Sequence, residues 1–257
     1  MYFVFDIDGT TSFDGITLDA EISQALLDVR AAGHTPVLAS ARPIRDIVPM
    51  LPAPLRDVMM VGANGALVYQ DGAVRVRATI DRHAFEQIRT LINHYELDFV
   101  ADSPHHYAYR LPEGHFLIER IDTEGIDIRT QLSELNRATK ILILNITDPN
   151  LFAKLRSKVA LMDVTAAQHD DPTGANIDIT AAGVNKQEAI CELFADVPYV
   201  AFGNDTNDLQ MLEGAVHSVA VGTKESVVAI ATEQVDATGT AVAQKIRSLI
   251  SQFSANA

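Results

Sequence analysis

Hydrophobic residues fall into short buried runs and helical stripes in strict alternation at both ends of the chain. Tyr2–Asp6 is an apolar run closed by Gly9 and reads as a buried strand. In Leu18–Ala32, Ile22, Leu26, Leu27 and Val29 share one stripe, which predicts a helix stopped at Gly33. Thr35–Ala39 is a second buried strand, Pro43–Met50 a short helix and Val58–Gly62 a third strand. A hairpin follows, with Leu67–Tyr69 and Ala73–Val76 around Gln70-Asp71-Gly72. Towards the C-terminus, Lys186–Phe194, Asp205–Leu212, Lys224–Ala231 and Ala241–Ser251 read as helices, and Tyr199–Phe202 and Ser218–Val221 as strands. This grammar predicts an α/β fold with a Rossmann-like parallel sheet and right-handed crossovers.

The middle of the chain is patterned differently. Asp81–Tyr95 is an amphipathic helix with Phe85, Ile88, Ile92 and Tyr95 inward. Strand stretches follow at Asp98–Ala101, His106–Arg110 and Thr139–Ile146, then a helix at Asn150–Lys158. Two further strands are expected at Val159–Val164 and Asn176–Thr180, with polar Gln168–Gly174 as a loop. Strands grouped around two helices predict an inserted α+β module at 79–180, between core segments 1–78 and 181–257.

Composition narrows the chemistry. The chain has 257 residues, 47% hydrophobic, enough to bury a sizeable core. Its net charge of −14 repels phosphate backbones, so neither a nucleic acid nor an anionic membrane is an expected partner. The start lacks a basic segment and meets Asp6 early, unlike a signal peptide, so a cytoplasmic protein is expected. A single cysteine, Cys191, fits a reducing compartment and reads as a small buried hydrophobe on its helix.

Candidate chemistry sits at strand ends. Asp6-Ile7-Asp8-Gly9-Thr10 places two carboxylates at a strand's C-terminal tip, where open α/β sheets bind ligands. One can attack while the other handles a proton; like charges so close raise a pKa or recruit a cation. Asn204-Asp205-Thr206-Asn207-Asp208 is an unbroken run of oxygen-bearing side chains at another strand's end, more than helix capping needs. Oxygen donors of this kind suit Mg²⁺. Ser40, followed by Ala41 and Arg42, places a hydroxyl and backbone amides for an anion. Lys186 opens a helix against the macrodipole, which pairing with a phosphate or an acidic cluster would explain. His105-His106 lacks a third ligand at zinc-like spacing, and no glycine-rich nucleotide fingerprint occurs.

Taken in order (Asp-x-Asp-Gly-Thr, then Ser, then Lys, then an Asp-rich strand end), the chain resembles the haloacid dehalogenase superfamily of phosphotransferases. The inserted module, with Gly62-Ala63-Asn64-Gly65-Ala66 before it, resembles the Cof-like branch carrying a type IIB cap. The resemblance implies a Mg²⁺-dependent phosphatase for a small phosphorylated metabolite such as a sugar phosphate. Asp6 would be the nucleophile forming an aspartyl-phosphate, and Asp8 the acid and base. Ser40, Ala41, Arg42, Lys186 and Asn207 would hold phosphate or substrate. Mg²⁺ would draw on Asp6, Asp8 and the segment of Asn204, Asp205 and Asp208. The family's usual Gly-Asp-x-x-Asn-Asp has Asn204 in its first acidic place, so either Asn204 is a neutral ligand or Asp205 takes over. A phosphomutase and a non-catalytic phospholigand sensor are the alternatives. Oligomeric state is not encoded in any of these motifs.

Overall fold

The computed structural model describes residues 1–171, 174–195 and 197–254. It divides into two units, Met1–Arg75 with Asn185–Ala257, and Val76–Val184. The divides fall at 75/76 and 184/185, a few residues outside the 78/79 and 180/181 expected.

In the first unit, the chain runs through β1 (Tyr2–Phe5), α1 (Ala20–Ala31), β2 (Thr35–Ala39), α2 (Ile44–Ile47), β3 (Met59–Gly62), β4 (Leu67–Gln70) and β5 (Ala73–Val76). Asp19 caps α1 by accepting from the backbone N–H groups of Glu21 and Ile22, so the helix starts two residues later than its apolar stripe suggests. The expected helix Pro43–Met50 is instead one turn of α2 followed by a 3₁₀ turn, Val48–Met50, with Pro49 inside it.

The second unit contains α3 (Arg82–His94), β6 (Asp98–Asp102), β7 (His106–Arg110), β8 (Ile128–Arg129), β9 (Lys140–Ile146), α4 (Pro149–Val159), β10 (Val164–Asp171) and β11 (Gly174–Ala181). Its sheet has the order β10-β11-β9-β6-β7-β8. Phe85, Ile88 and Ile92 of α3 and Leu155 and Val159 of α4 pack with Ile141, Ile143, Ile177 and Ile179, so both helices share one face. Two expectations fail here. Val159–Val164 is not a strand, because α4 runs through Val159. Most of the polar stretch expected as a loop is strand: β10 pairs antiparallel with β11 from Val164↔Ala181 to Asp171↔Gly174. β10 stands at the edge of its sheet, where a polar sequence guards the unpaired backbone against further strand pairing. Residues 172 and 173, also within that stretch, lie outside the described residues.

The chain returns to the first unit as α5 (Lys186–Phe194), β12 (Tyr199–Gly203), α6 (Leu209–Glu213), β13 (His217–Val221), α7 (Glu225–Val228), β14 (Glu233–Val235) and α8 (Gly239–Ser254). The sheet order is β14-β13-β12-β1-β2-β3-β4-β5. The six strands from β14 to β3 are parallel, and β4 is antiparallel to β3. From β1 the chain winds outwards through β2 on one side and later returns through β12 on the other. Their carboxyl ends flank the switch point where such sheets form a crevice. Val4, Val37, Val61, Ala201 and Ala220 join Ala189, Ile190 and Phe194 of α5 in one core cluster.

Candidate active site

β1 ends in a turn that the sequence closes on itself. The N–H groups of Thr10, Thr11 and Ser12 all donate to the Ile7 carbonyl, and the Thr11 hydroxyl donates to the Asp6 carbonyl at 2.8 Å. Gly9 has φ +81, and a Cβ there would lie 2.2 Å from Asn204 Nδ2. Glycine is therefore required both by the backbone and by the side chain leaning on it.

On the neighbouring strand, β12, the second segment is anchored by Asp208. One carboxylate oxygen accepts from the N–H groups of Asn204 (3.0 Å) and Asp205 (3.1 Å); the other accepts from Lys186 Nζ at 2.6 Å. Lys186 Nζ also donates to Asp6 Oδ1 at 2.5 Å. Asn185 caps α5 through Glu188 N–H, which fixes Lys186 at the first helical position. The lysine is 1% exposed, Asp6 5% and Asp208 0%, so three ionisable groups share a space closed to water.

Two carboxylates and one ammonium leave this cluster one negative charge in excess. Burial, then the charge of Asp208, push the Asp6 carboxyl up to about 7 despite Lys186, with Asp8 adding to the rise. Burial alone would pull the Lys186 ammonium down, but Asp208 and Asp6 outweigh it and hold it above its ordinary value.

The structure also ties the Ser40 segment to the Asp pair. Ser40 is buried, its N–H donates to the Val61 carbonyl, and its Oγ accepts from Arg42 N–H at 3.1 Å. Ala41 is half-buried between them. Arg42 forms a bidentate pair with Asp8, Nε to Oδ2 at 2.8 Å and Nη2 to Oδ1 at 2.6 Å. Burial works against the Arg42 charge, and Asp8 more than restores it.

Asn204 and Asp205 part company. Asn204 Oδ1 accepts from the Thr10 hydroxyl at 3.1 Å, so its amide lies against the Asp-x-Asp turn. The Asp205 carboxylate is taken up by Lys224 Nζ and Thr206 N–H. Burial would raise its pKa, yet Lys224 and Thr206 bring it below the ordinary value. Asp205 is thus not brought to Asp6, a correction to its candidacy as a ligand: its side chain caps the following 3₁₀ turn. Asn207 instead reaches Asn64, Nδ2 to Oδ1 at 3.4 Å.

Among the described residues, no three His, Cys, Asp or Glu side chains converge as a metal cage. Two donors there suit a hard cation: the Asp6 carboxylate and the Asn204 amide oxygen, which lies against the turn that follows Asp6. Mg²⁺ takes such oxygens while keeping several waters, and the excess negative charge at Asp6 is what a cation relieves. The donor chemistry therefore fits Mg²⁺. Asp208, with both oxygens already accepting from protein donors, holds the loop and Lys186.

Sequence reasoning passed over several residues. Asn64, at φ +54, donates its N–H to the Ser40 carbonyl and braces that strand end. Gly65 packs on α5, where a Cβ would lie 2.3 Å from the Asn185 carbonyl oxygen. The run from Gly62 to Ala66 marked this place, but not its contacts. Cys191 corrects the other way: it is exposed, because the buried stripe of α5 is Lys186, Ala189, Ile190 and Phe194.

The same fold occurs in known proteins. The sequence model described as haloacid dehalogenase-like hydrolase matches residues 3–246. The chain belongs to this family. Its fold is similar to that of a subclass IIB sugar phosphatase, BT4131, with 19% identity, TM-score 0.77 and coverage of 96% of this chain and 98% of that one. It is also similar to a haloacid dehalogenase-like hydrolase from B. subtilis, at 18% identity and TM-score 0.79 over 96% and 99% of the two chains. A third, from Bacteroides thetaiotaomicron, shows 18% identity and TM-score 0.79 over 96% and 98%. No curated protein is similar enough to count as a match. As a haloacid dehalogenase-like hydrolase, the chain carries its acidic pair where the parallel sheet opens. No helix among the described residues is long and apolar enough to cross a membrane.

Proposed function

We propose that this hydrolase is a Mg²⁺-dependent phosphomonoesterase for small phosphorylated metabolites, sugar phosphates among them, working through an aspartyl-phosphate on Asp6. The observation that carries the reading is Lys186 bridging Asp6 and Asp208 in a buried cluster at the sheet's switch point. Sugar phosphates enter through the similarity to the sugar phosphatase BT4131.

In the first step an Asp6 oxygen forms a bond to phosphorus while the bond to the leaving oxygen breaks. The Asp8 carboxylic acid gives its proton to that oxygen, releasing the alcohol. In the second, Asp8, now a carboxylate, takes a proton from water as the water oxygen attacks phosphorus. The Asp6–phosphorus bond breaks, inorganic phosphate leaves and Asp6 is a carboxylate again. Lys186 and the Ser40 segment hold phosphoryl oxygens and offset their charge. Asp6, the Asp8 carbonyl and Asn204 would hold Mg²⁺, which would supply further neutralisation of the phosphoryl charge.

The test is release of phosphate from p-nitrophenyl phosphate, followed by a panel of phosphorylated sugars, nucleotides and cofactors. Activity is expected with Mg²⁺, lost in EDTA, and reduced at least about a thousandfold by Asp6→Asn. Full activity in that variant overturns the mechanism.

A further inference from the structure

The contact between Arg42 and Asp8 extends one link beyond the motifs. Arg42 Nη2, besides pairing with Asp8 Oδ1, donates to the Gly15 carbonyl at 2.9 Å. Gly15 stands at φ +67 in the loop after β1. Its place in that loop is set by Asp14, whose Oδ1 accepts from Ile16 N–H (2.7 Å), Thr17 N–H (2.8 Å) and the Ser12 hydroxyl (3.2 Å). Asp14 Oδ2 accepts from the Thr17 hydroxyl at 2.9 Å. The backbone N–H groups of Thr17 and Ile16, with both hydroxyls, hold the Asp14 carboxyl far below its ordinary value, so it is an anion at any working pH. Asp14 itself is exposed and belongs to no motif.

We infer that Asp14 is a positioning residue for Asp8. It fixes the loop that aims the Gly15 carbonyl at Arg42, and Arg42, tied through Nη2 to Gly15 as well as to Asp8, sets the direction of the Asp8 carboxyl. The physical reason lies in the guanidinium plane. A bidentate pair defines an orientation only if the guanidinium is itself fixed, and one held by Asp8 alone would swing with it. To act as an acid Asp8 must carry a proton on one oxygen; its other oxygen still accepts from Arg42, so the arginine directs the protonated oxygen, and proton delivery to a leaving oxygen needs that donor within hydrogen-bond reach.

The inference rests on the proposed phosphatase reading, and it makes a demand that a purely structural role does not. Asp8 matters most when the leaving oxygen is basic. Loss of its orientation therefore penalises poor leaving groups more than good ones. The experiment measures kcat/KM for substituted phenyl phosphates, from p-nitrophenyl to p-methoxyphenyl phosphate, which vary leaving-group basicity at nearly constant size. Because kcat/KM reports steps up to release of the phenol, slow hydrolysis of the phospho-enzyme does not mask the effect.

Asp14→Ala is expected to lower kcat/KM about tenfold for p-methoxyphenyl phosphate and less than about threefold for p-nitrophenyl phosphate. Asp14→Asn, which keeps the Oδ1 acceptor, is expected to restore most of the loss. Arg42→Met, cutting the relay at its last link, is expected to steepen the leaving-group dependence in the same sense. In an Asp8→Asn background, Asp14→Ala is expected to leave the slope unchanged. Equal losses across the series, no loss, or a further change of slope without Asp8 each overturn the inference. If the wild-type protein hydrolyses no phosphomonoester, or Asp6→Asn stays active, the phosphatase reading itself has failed. Unfolding curves for each variant separate a loose loop from an unfolded chain.

Discussion

Replacing Asp6 by Asn is expected to stabilise the protein while destroying its activity, by an amount that depends on pH. In the folded chain Asp6 titrates at about 7, against 3.8 for an ordinary aspartate. Between those values the folded state keeps a proton that the unfolded state has lost. The folded state then binds more protons, so stability falls as pH rises, by about 1.4 kcal/mol per pH unit. Above pH 7 both states are ionised and the loss levels off at roughly 4 kcal/mol. The substituted amide has no proton to lose, and its oxygen still accepts from Lys186. In urea denaturation with EDTA present, the variant should therefore gain on the wild type by about 2 kcal/mol between pH 5 and 7, and by well under about 1 kcal/mol more by pH 8. Mg²⁺ at pH 8 should reverse part of the difference, because it stabilises the ionised wild-type site. A stability difference that stays flat from pH 5 to 8, or a wild type more stable than the variant at pH 8 in EDTA, refutes the account of a cluster short of positive charge.

Three further outcomes follow from the loops on either side of that cluster. Asn204→Asp adds a carboxylate beside the Asp-x-Asp turn and should tighten Mg²⁺ binding by about tenfold in a metal-dependent Tm titration, since ligand charge sets hard-cation affinity. Asp205→Asn, by contrast, should leave metal affinity within about twofold and cost only about 1 kcal/mol through its cap and its pair with Lys224. Gly9→Ala places a methyl group 2.2 Å from Asn204 Nδ2 at φ +81. It should destabilise the protein by about 1–3 kcal/mol and weaken Mg²⁺ binding, both readable from Tm with and without the metal.

Much of the fold was legible because buried parallel strands and amphipathic helices leave distinct periodicities. Tyr2–Phe5, Thr35–Ala39 and α3 emerged close to their observed bounds for that reason. The polar strand β10 did not, since an edge strand is defined by the neighbour it pairs with, and no local pattern records that neighbour. Cys191 was misplaced by one helical step, which is 100° of rotation and the difference between core and solvent. In the site, Asp6, Asp8, Ser40, Lys186 and the oxygen-rich run could be picked out because their residue types and strand-end positions are unusual together. Which of Asn204 and Asp205 leans on the Asp-x-Asp turn could not, because it depends on Lys224, nineteen residues further on, drawing Asp205 away. Nor could the chain alone show that Arg42 grips Asp8 while Asp14 braces the loop behind it. Periodicity and residue chemistry are local, so the sequence determined the elements and the reactive groups. Charge balance and side-chain direction arise only when distant strand ends meet, and the tertiary structure decided those.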